Sequence, residues 1–393
     1  MIDFCKALQI ANSTAKTLGT EEIDFREVNG RILAEDIFSD MNMPPFDKSA
    51  MDGYACRRED LENELEVIEL IPAGIVPKKE VGKNQCSNIM TGAMVPKGAD
   101  TVIIVENVEE TDSHHIRYNQ QKTSSNICYL GEDIKLGERI IEKDCLLRSR
   151  HIPSLASIGK TMVRVYKMPR IGMIATGSEI VEPWDKLSDS QIRNSNTYAI
   201  LALAKDMALD IKNFGICPDD VEIAQPFFEK AVQECDILIF SGAVSMGDFD
   251  FVPELLLKNK VKIHFHGLNV KPGKRIIFGT GTDDKWFFGL PGNPVSAFMQ
   301  FEFLIKPFLY RMMGIDKDSR FLKFQMLTEF RRKKDNKDEF IPVKINKESK
   351  VEIIPYNGSA HINVLVEADA ILFIPKGVKE ILPNEVVNVY LMS

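Results

Sequence analysis

Short apolar runs alternate with helix-spaced apolar residues through the middle of the chain. Ile200, Leu203, Ala204 and Met207 fall on one face of a helix. Short apolar or β-prone runs typical of buried strands occur at 171–175, 211–216, 237–240, 261–266 and 286–290. The alternation predicts an α/β domain with a doubly wound, mostly parallel sheet, which a long apolar helix over 295–312 follows.

The flanking segments have other patterns. Residues 2–18 have the apolar spacing of an amphipathic helix that ends near Gly19, whereas the prolines and glycine of 43–55 predict a rigid loop without regular structure. Short β-prone runs between turn residues predict a β-rich region over 56–145. Similar runs over 318–393 predict a small β-barrel or sandwich, in which 331–334 is a solvated hairpin tip.

Composition narrows the class of protein. The 393 residues are 44% hydrophobic and 27% charged, and a net charge of −8 disfavours binding to nucleic acid or to an anionic membrane. The seven cysteines are scattered without a C-x-x-C pair, which predicts reduced thiols and no zinc site. Without a basic leader or an apolar stretch of membrane-spanning length, a soluble cytoplasmic protein is expected.

Polar residues gather where the predicted strands end. In open parallel sheets, ligands bind outside the carboxyl ends of the strands, so these residues should converge on one crevice. They are Glu179, Asp219, Ser241, Gly242, Ser245, Asp250, Lys271, Lys274, Arg275, Pro291, Gly292 and Asn293.

The charged members of this set favour two kinds of ligand. Lys271, Lys274 and Arg275 suit phosphate or another oxyanion, while Glu179, Asp219 and Asp250 offer oxygen ligands for Mg²⁺. Any one of them taken alone is more commonly a solvated or helix-capping residue, so only the whole set argues for a site. The chain has no G-x-S-x-G, P-loop, strand-linked G-x-G-x-x-G or H-E-x-x-H motif, which argues against the corresponding hydrolase, kinase, dehydrogenase and metalloprotease classes.

Several longer motifs together resemble one family. They are Met43-Pro44-Pro45-Phe46-Asp47-Lys48-Ser49-Ala50-Met51-Asp52-Gly53-Tyr54-Ala55, Met90-Thr91-Gly92-Ala93, Gly131-Glu132-Asp133-Ile134, the stretch from Ser241 to Gly247, Lys271-Pro272-Gly273-Lys274 and Leu290-Pro291-Gly292-Asn293-Pro294-Val295-Ser296-Ala297. In this order and over nearly the whole chain, they resemble the molybdopterin molybdenumtransferase family, the MoeA-type bacterial relatives of the gephyrin E domain.

The resemblance implies a reaction, a metal and a dimer. Family members insert molybdate into adenylylated molybdopterin and release AMP with the help of Mg²⁺, in the final step of molybdenum cofactor synthesis. They are homodimers in which the small domain of one subunit completes the cleft of the other. The adenylyltransferase that supplies the substrate is a candidate partner.

The resemblance also implies functional residues. They are Asp52, Thr91, Asp133, Glu179, Asp219, Asp250, Lys271, Lys274, Pro291, Pro294 and Ser296. Our hypothesis is that the lysines hold molybdate or phosphate and that Glu179 and Asp250 hold Mg²⁺ or pterin N–H groups. Asp52 and Thr91 would complete the cleft from the second subunit.

The resemblance divides the chain into four predicted domains. These are an elongated linking and dimerisation domain (1–42 with 132–168), a small β-rich domain with the Ser49–Ala55 loop (43–131), an α/β molybdopterin-binding domain (169–316) and a C-terminal β-barrel (317–393).

The chain departs from the family pattern at several positions. Cys128-Tyr129-Leu130 stands where the family has arginine, and Ala243 replaces a glycine. The expected arginine near Pro342 is missing, and Asn363-Val364 replaces a serine pair although Ser359 remains.

Two other functions are compatible with parts of the sequence. A molybdopterin adenylyltransferase shares the α/β domain type, but residues 1–165 and the C-terminal domain argue against it. A non-enzymatic, gephyrin-like dimeric scaffold would tolerate loss of the cleft charges, yet Glu179, Asp250, Lys271 and Lys274 are present. The transferase is therefore favoured.

Overall fold

A computed structural model describes residues 1–244, 250–316, 321–355 and 357–392. The predicted substrate-binding residue Ser245 lies outside the described residues. By its internal contacts the chain divides into two compact units, residues 1–34, 144–148 and 163–393, and residues 35–143 and 149–162. This division does not test the four predicted domains, which stay a prediction.

Six of the described strands form the α/β sheet of the first unit. In order across the sheet they are Ile211–Cys217, Ile171–Thr176, Ile237–Ser241, Trp286–Leu290, Ile277–Thr280 and Lys262–His266. The first four are parallel, and Ile277–Thr280 runs antiparallel to both of its neighbours. The mostly parallel sheet is confirmed, although the sequence did not predict Ile277–Thr280.

Helices cover both faces of this sheet, because side chains alternate between the two faces along each buried strand. Met173 and Ile239 face one core, whereas Leu238 and Phe240 face the other. The first core is closed by Phe4–Thr14, Asn196–Lys205, Pro294–Gln300, the π-helical turn Phe301–Ile305 and Lys306–Met312. The second is closed by Val221–Glu234 and Val252–Lys258.

The N-terminal helix is shorter than predicted. It ends at Thr14, and Ala15 already has an extended backbone with φ −64° and ψ 134°. Leu18 lies beyond the helix but packs against the same core. Its apolar character therefore extended the helical spacing past the actual end of the helix. The long apolar helix over 295–312 is confirmed as a continuous helical stretch over 294–312.

A closed β-barrel forms the C-terminal part of the first unit. Around the barrel its strands are Asp338–Ile345, Lys350–Ile353, Leu322–Met326, Val386–Leu391 and Ala370–Ile374, which pairs again with Asp338–Ile345. The barrel alternative of the sequence prediction is therefore confirmed. A further short strand, Val270–Lys271, leaves the α/β region and pairs in parallel with Asp338–Ile345.

Smaller elements complete the first unit. They are the strand pairs Thr20–Asp24 with Met162–Tyr166, Ile180–Val181 with Ile192–Arg193, and Phe330–Arg331 with Glu380–Ile381, the 3₁₀ turn Phe25–Glu27 and the helix Val364–Glu367.

The second unit is built on a mixed sheet, as its β-rich sequence predicts. Six of its strands follow in the order Thr101–Ile104, Gly53–Cys56, Gln85–Ile89, Glu64–Ile71, His115–Tyr118 and Val108–Glu110. Its other elements are Ile37–Phe38 paired with Arg139–Ile141, Lys48–Ser49 paired with Ile127–Cys128, the helix Ile152–Ser157, and the 3₁₀ turns Arg58–Asp60, Val105–Asn107 and Ser149–His151.

The prediction that 43–55 lacks regular structure is wrong in two places, at the short strand Lys48–Ser49 and at its end. Gly53–Cys56 is a buried strand between Gln85–Ile89 and Thr101–Ile104. A Cβ atom on Gly53 would lie 1.9 Å from the Ile103 carbonyl oxygen, so the glycine allows this close strand contact. None of the described helices has the length and apolar character needed to cross a membrane.

Candidate functional site

A cleft with a volume of about 690 Å³ lies at the carboxyl ends of the parallel strands. This is the edge at which open α/β sheets bind ligands. Of the predicted site residues, the cleft is lined by Glu179, Asp219, Ser241, Gly242, Asp250, Pro291, Gly292, Asn293 and Pro294. These residues come together as predicted, whereas the predicted Lys271 and Lys274 do not line this cleft, and the role of each residue stays a prediction.

Gly242 shapes the floor of the cleft. Its φ is +101°, and a Cβ atom there would lie 2.3 Å from the carbonyl oxygen of Thr176. Its backbone N–H donates to the Leu290 carbonyl at 3.0 Å, which ties the loop to the neighbouring strand. A larger residue would separate these strand ends, so glycine is required by both conformation and space.

Asn196 organises the cleft, and sequence reasoning missed it. Its buried side-chain amide donates to the Gly292 carbonyl at 2.8 Å and to the Ser241 hydroxyl at 3.0 Å. It thereby joins two loops that are far apart in sequence. The available signal was the polar run 194–196 directly before a predicted helix, which is more commonly read as helix capping.

Three residues of the cleft carry buried polar atoms without a partner in the part of the chain that the structure describes. These atoms are Asn194 Nδ2, Asn196 Oδ1 and Asp219 Oδ1. The other oxygen of Asp219 accepts a hydrogen bond from the Ser178 backbone N–H at 3.1 Å. Because a buried polar atom without a partner costs about 1–3 kcal/mol, water or a polar ligand would have to supply the partners of this one donor and these two acceptors.

A cationic pocket of about 300 Å³ adjoins the cleft. The predicted residues Lys271, Lys274 and Ser296 line it, and Arg275, Pro291 and Asn293 line both cavities. The Lys271 ammonium group pairs with the Glu339 carboxylate at 2.6 Å, which leaves Lys274 and Arg275 as cations without an ion pair to any described residue. This pocket has the charge and size for an oxyanion.

The loop that carries these cations is held by Gln300. The buried Gln300 amide donates to the Gly273 carbonyl at 2.9 Å. Gly273 has φ +91°, and a Cβ atom on it would lie 2.3 Å from Gln300 Nε2. The contact therefore requires glycine at the centre of the loop.

Lys337 and Ser359 also line the cationic pocket. Ser359 accepts a hydrogen bond from the Asn293 amide at 3.0 Å.

Asp52 and Thr91 lie together in the second unit. One Asp52 carboxylate oxygen accepts hydrogen bonds from the Thr91 backbone N–H at 2.6 Å and from its hydroxyl at 2.8 Å. These two hydrogen bonds, the backbone one foremost, hold the pKa of Asp52 below its ordinary value. Asp52 is therefore a fixed anion at neutral pH.

Asp133 lies in a different groove of the second unit. This groove has a volume of about 490 Å³ and is also lined by Lys48, Cys128 and Glu132. The structure thus brings Asp52 and Thr91 together, while Asp133 lines a cavity of which they are not part.

The carboxylates of the cleft constrain any metal site. Over residues 1–244, 250–316, 321–355 and 357–392, no group of three His, Cys, Asp or Glu side chains is placed to hold a metal ion. Glu179 and Asp250 nevertheless line the same cleft. Mg²⁺ is commonly bound by one or two carboxylates, waters and substrate phosphates, so this pair fits an ion held jointly with substrate.

Comparisons with known proteins agree along the whole chain. Residues 2–159 match the MoeA N-terminal region (domain I and II), 172–311 a probable molybdopterin binding domain and 326–392 the MoeA C-terminal region (domain IV). A molybdopterin molybdenumtransferase of Staphylococcus epidermidis is 34% identical over 380 residues, which are 94% of this chain and 90% of that protein. One from Haemophilus influenzae is 36% identical over 75% of this chain and 73% of its own.

A solved structure supports the same assignment. The molybdopterin biosynthesis MoeA protein from Pyrococcus horikoshii OT3 is similar with a TM-score of 0.84 and 31% identity, over 100% of both chains. The family resemblance of the sequence is thereby confirmed. The chain belongs to the MoeA family of molybdopterin molybdenumtransferases.

Proposed function

We propose that the protein inserts molybdate into adenylylated molybdopterin and releases AMP, as the final step of molybdenum cofactor synthesis. The observation that carries the proposal is the set of three buried atoms without partners at Asn194, Asn196 and Asp219. A pterin ring presents both N–H donors and acceptor atoms at its edge, so it can pair with one donor and two acceptors. The cationic pocket beside the cleft suits the anionic partners of the reaction.

The basic and the acidic residues of the site would have different roles. Lys271 and Lys274 would hold molybdate or the substrate phosphate, because both residues line the cationic pocket. Glu179 and Asp250 would hold Mg²⁺ or accept hydrogen bonds from the pterin. Molybdate and a phosphoanhydride are both anionic, so charge neutralisation and positioning would dominate, without a covalent nucleophile.

The family resemblance implies magnesium dependence, and the two carboxylates that line the cleft support it. When bound, Mg²⁺ would neutralise charge on the phosphate oxygens. Glu179 and Asp250 would supply its protein ligands, and the remaining positions are left to substrate and water.

We also propose a homodimer in which Asp52, Thr91 and Asp133 from the second subunit complete the cleft. The family resemblance supports this arrangement, and the hydrogen-bonded Asp52–Thr91 pair offers a fixed anion for it. The substrate would come from a molybdopterin adenylyltransferase in the cytoplasm.

The decisive experiment measures AMP release from adenylylated molybdopterin by the purified protein with Mg²⁺, with and without molybdate. We expect molybdate-dependent release that Asp250→Asn lowers about 100-fold, as removal of one transition-state contact does in other enzymes. Glu254→Gln is the matched control, because Glu254 is exposed on the helix Val252–Lys258 outside the cleft.

A folded wild-type protein that binds the substrate but releases no AMP would contradict the enzyme proposal and favour a scaffold or carrier. The dimer is tested separately by mixing Asp52→Ala with Asp250→Ala subunits. A shared site predicts that the mixture regains activity, because heterodimers contain one intact cleft. No recovery from a demonstrated heterodimer would contradict the shared site.

A further inference from the structure

We propose that His266 is a positioning residue for the cleft, which holds the loop that carries Asp250 from the edge strand of the α/β sheet. His266 ends the strand Lys262–His266, and its Nε2 atom lies 2.8 Å from the Val244 carbonyl oxygen. Among the described residues, Val244 lines the cleft and His266 does not. The inference rests on the proposed transferase function and adds to it a residue that acts without touching the substrate.

The partner of the His266 ring settles which ring nitrogen carries the proton. A carbonyl oxygen can only accept a hydrogen bond, so Nε2 must be the donor. Val244 is buried, and a buried carbonyl that loses its donor lowers the stability of the folded chain. The contact therefore restrains the loop as well as the ring.

A β-bulge aims His266 at this loop. In an unbroken strand, His264 and His266 would point to the same side, because side chains alternate between the two faces. The pairing of this strand instead shifts register just after Ile263. His264 consequently stacks on Phe278 in the first core. His266 lies opposite Ile277, which belongs to the second core, and so faces that other side.

Gly289 lets the loop reach His266. Gly289 pairs with Ile277, so it is the next residue in the same row across the sheet. A Cβ atom on Gly289 would lie 2.7 Å from a methyl group of Val244, which therefore packs directly over this glycine. The loop thus extends across the strand Trp286–Leu290 toward the sheet edge, where the histidine meets it.

Two contacts beyond the one at Gly242 hold the acidic loop, by which we mean the described residues 242–244 and 250–251. The Val252 backbone N–H donates to the Ala243 carbonyl at 3.2 Å and joins the two segments. The His266 ring binds the next carbonyl and ties the segments to the sheet edge. Loss of the ring would therefore loosen the loop together with its carboxylate.

His266 also borders the cationic loop, residues 267–276, which follows it directly. The Gly267 backbone N–H donates to the Ile276 carbonyl at 2.7 Å and closes this loop at its base. One side chain therefore connects the carboxylate that would hold Mg²⁺ with the loop whose cations would hold the oxyanion. Its contact sets how these two charged groups are placed relative to each other, which is what catalysis by positioning requires.

The Mg²⁺ dependence of AMP release by the full-length protein tests this role. We expect His266→Leu to raise the half-saturating Mg²⁺ concentration about tenfold, because Mg²⁺ demands near-ideal ligand geometry and residues that orient its ligands affect its affinity on that scale. His266→Gln should restore the wild-type Mg²⁺ requirement to within about threefold, because its amide nitrogen can also donate to the carbonyl.

His264→Leu is the matched control. It removes a histidine from the same strand that binds the Thr280 hydroxyl at 2.8 Å, but on the opposite face of the sheet. The half-saturating Mg²⁺ concentration should stay within about twofold of wild type. An equal rise in both leucine variants would make His266 an ordinary structural residue, and no rise in His266→Leu would overturn the proposal.

Hydrogen exchange, followed by mass spectrometry of peptides that contain Gly242 or Val252, tests the contact without turnover. Both amides are hydrogen-bonded within the loop region, and their exchange should accelerate about tenfold in His266→Leu but not in His266→Gln or His264→Leu. Unchanged exchange in His266→Leu would overturn the positioning role even if activity falls. Faster exchange in a protein that releases no AMP would support the contact and contradict the transferase proposal alone.

Discussion

The two ends of the parallel strands carry similar polar side chains but use them differently. At the amino ends, Arg170, Asp236 and Lys285 each directly precede one of three neighbouring strands. The Arg170 guanidinium group donates to both Asp236 oxygens, at 2.6 and 3.1 Å, and Lys285 donates to the Cys235 carbonyl at 2.6 Å. Both Asp236 oxygens are satisfied by the protein itself.

At the carboxyl ends, polar atoms are buried without protein partners in the described part of the chain. One oxygen of Asp219 accepts a hydrogen bond from Ser178, and the other has no partner. Asn194 and Asn196 each have one side-chain atom without a partner. Folding alone would select against such atoms, because each lowers the stability of the chain. The comparison favours a stabilising role for the polar residues of the amino edge and a ligand-binding role for those of the carboxyl edge.

The largest effect should come from Asp219→Asn at the carboxyl edge. We expect kcat/KM for AMP release to fall about 100-fold, because the cleft loses a buried charged acceptor. The free energy of unfolding should change by less than about 0.5 kcal/mol, because that oxygen has no protein partner. Urea unfolding and kinetics on the same samples measure both, with the exposed Asp206→Asn as control.

The opposite result would contradict this comparison. If Asp219→Asn lowered the free energy of unfolding and left kcat/KM for AMP release unchanged, Asp219 would be a structural residue.

The next effect should come from Asp236→Asn at the amino edge. We expect the free energy of unfolding to fall by about 2 kcal/mol, because a largely buried carboxylate loses its charge beside Arg170 and Lys285. The kinetics of the folded enzyme should stay within twofold. Asp210→Asn, which breaks the exposed pair with Lys205, should cost less than about 1 kcal/mol.

A smaller effect concerns pH. Burial raises the pKa of Asp236, but the hydrogen bonds and charge of Arg170 outweigh it and lower the pKa below the ordinary 3.8. A lowered pKa means that the stabilisation is present above pH 3.8 and is lost as the pH falls through the pKa of the folded state. The stability difference between wild type and Asp236→Asn should therefore shrink in acid unfolding experiments below pH 3.8. A difference that is constant with pH would show that charge is not its cause.

The smallest effect should come from Ala243→Gly in the loop after Ile237–Ser241. Ala243 has φ +48°, a left-handed conformation that strains an L-residue and that glycine adopts freely. Relief of strain and the added freedom of glycine in the unfolded chain oppose each other, so we expect a gain of about 0.5 kcal/mol. Ala202→Gly, in the middle of an exposed helix face, should instead lose about 1 kcal/mol.

Much of the fold could be predicted because its signal is local. The strands at 171–176 and 237–241 are buried on both faces and therefore read as apolar runs. Ile277–Thr280 was missed because its apolar run is short and is interrupted by Gly279. A Cβ atom on Gly279 would lie 2.7 Å from a methyl group of Val261. Glycine is needed here because of a residue that is distant in sequence, which the local pattern cannot reveal.

The residues of the candidate site also fall into those that the sequence could predict and those that it could not. Glu179, Asp219 and Asp250 could be found because each follows a strand, and strand ends meet at one edge of a parallel sheet. Asn196 could not, because its role depends on the Gly292 carbonyl, 96 positions away. In the predicted solvated hairpin tip at 331–334, Arg332 is instead buried, because its guanidinium group donates to three backbone carbonyls that the local pattern cannot reveal.

The short strand Val270–Lys271 limits where domains of such proteins can be recombined. Val270 and Lys271 pair in register with Asp338 and Glu339 of the barrel, and the Lys271 side chain binds Glu339 at 2.6 Å. The linker between the α/β region and the barrel is the obvious junction for a gene fusion. Recombination at that junction would nevertheless separate these paired residues. The loop and the barrel must therefore be inherited together, and a chimera that keeps its cationic pocket has to carry residues 267–276 with the barrel.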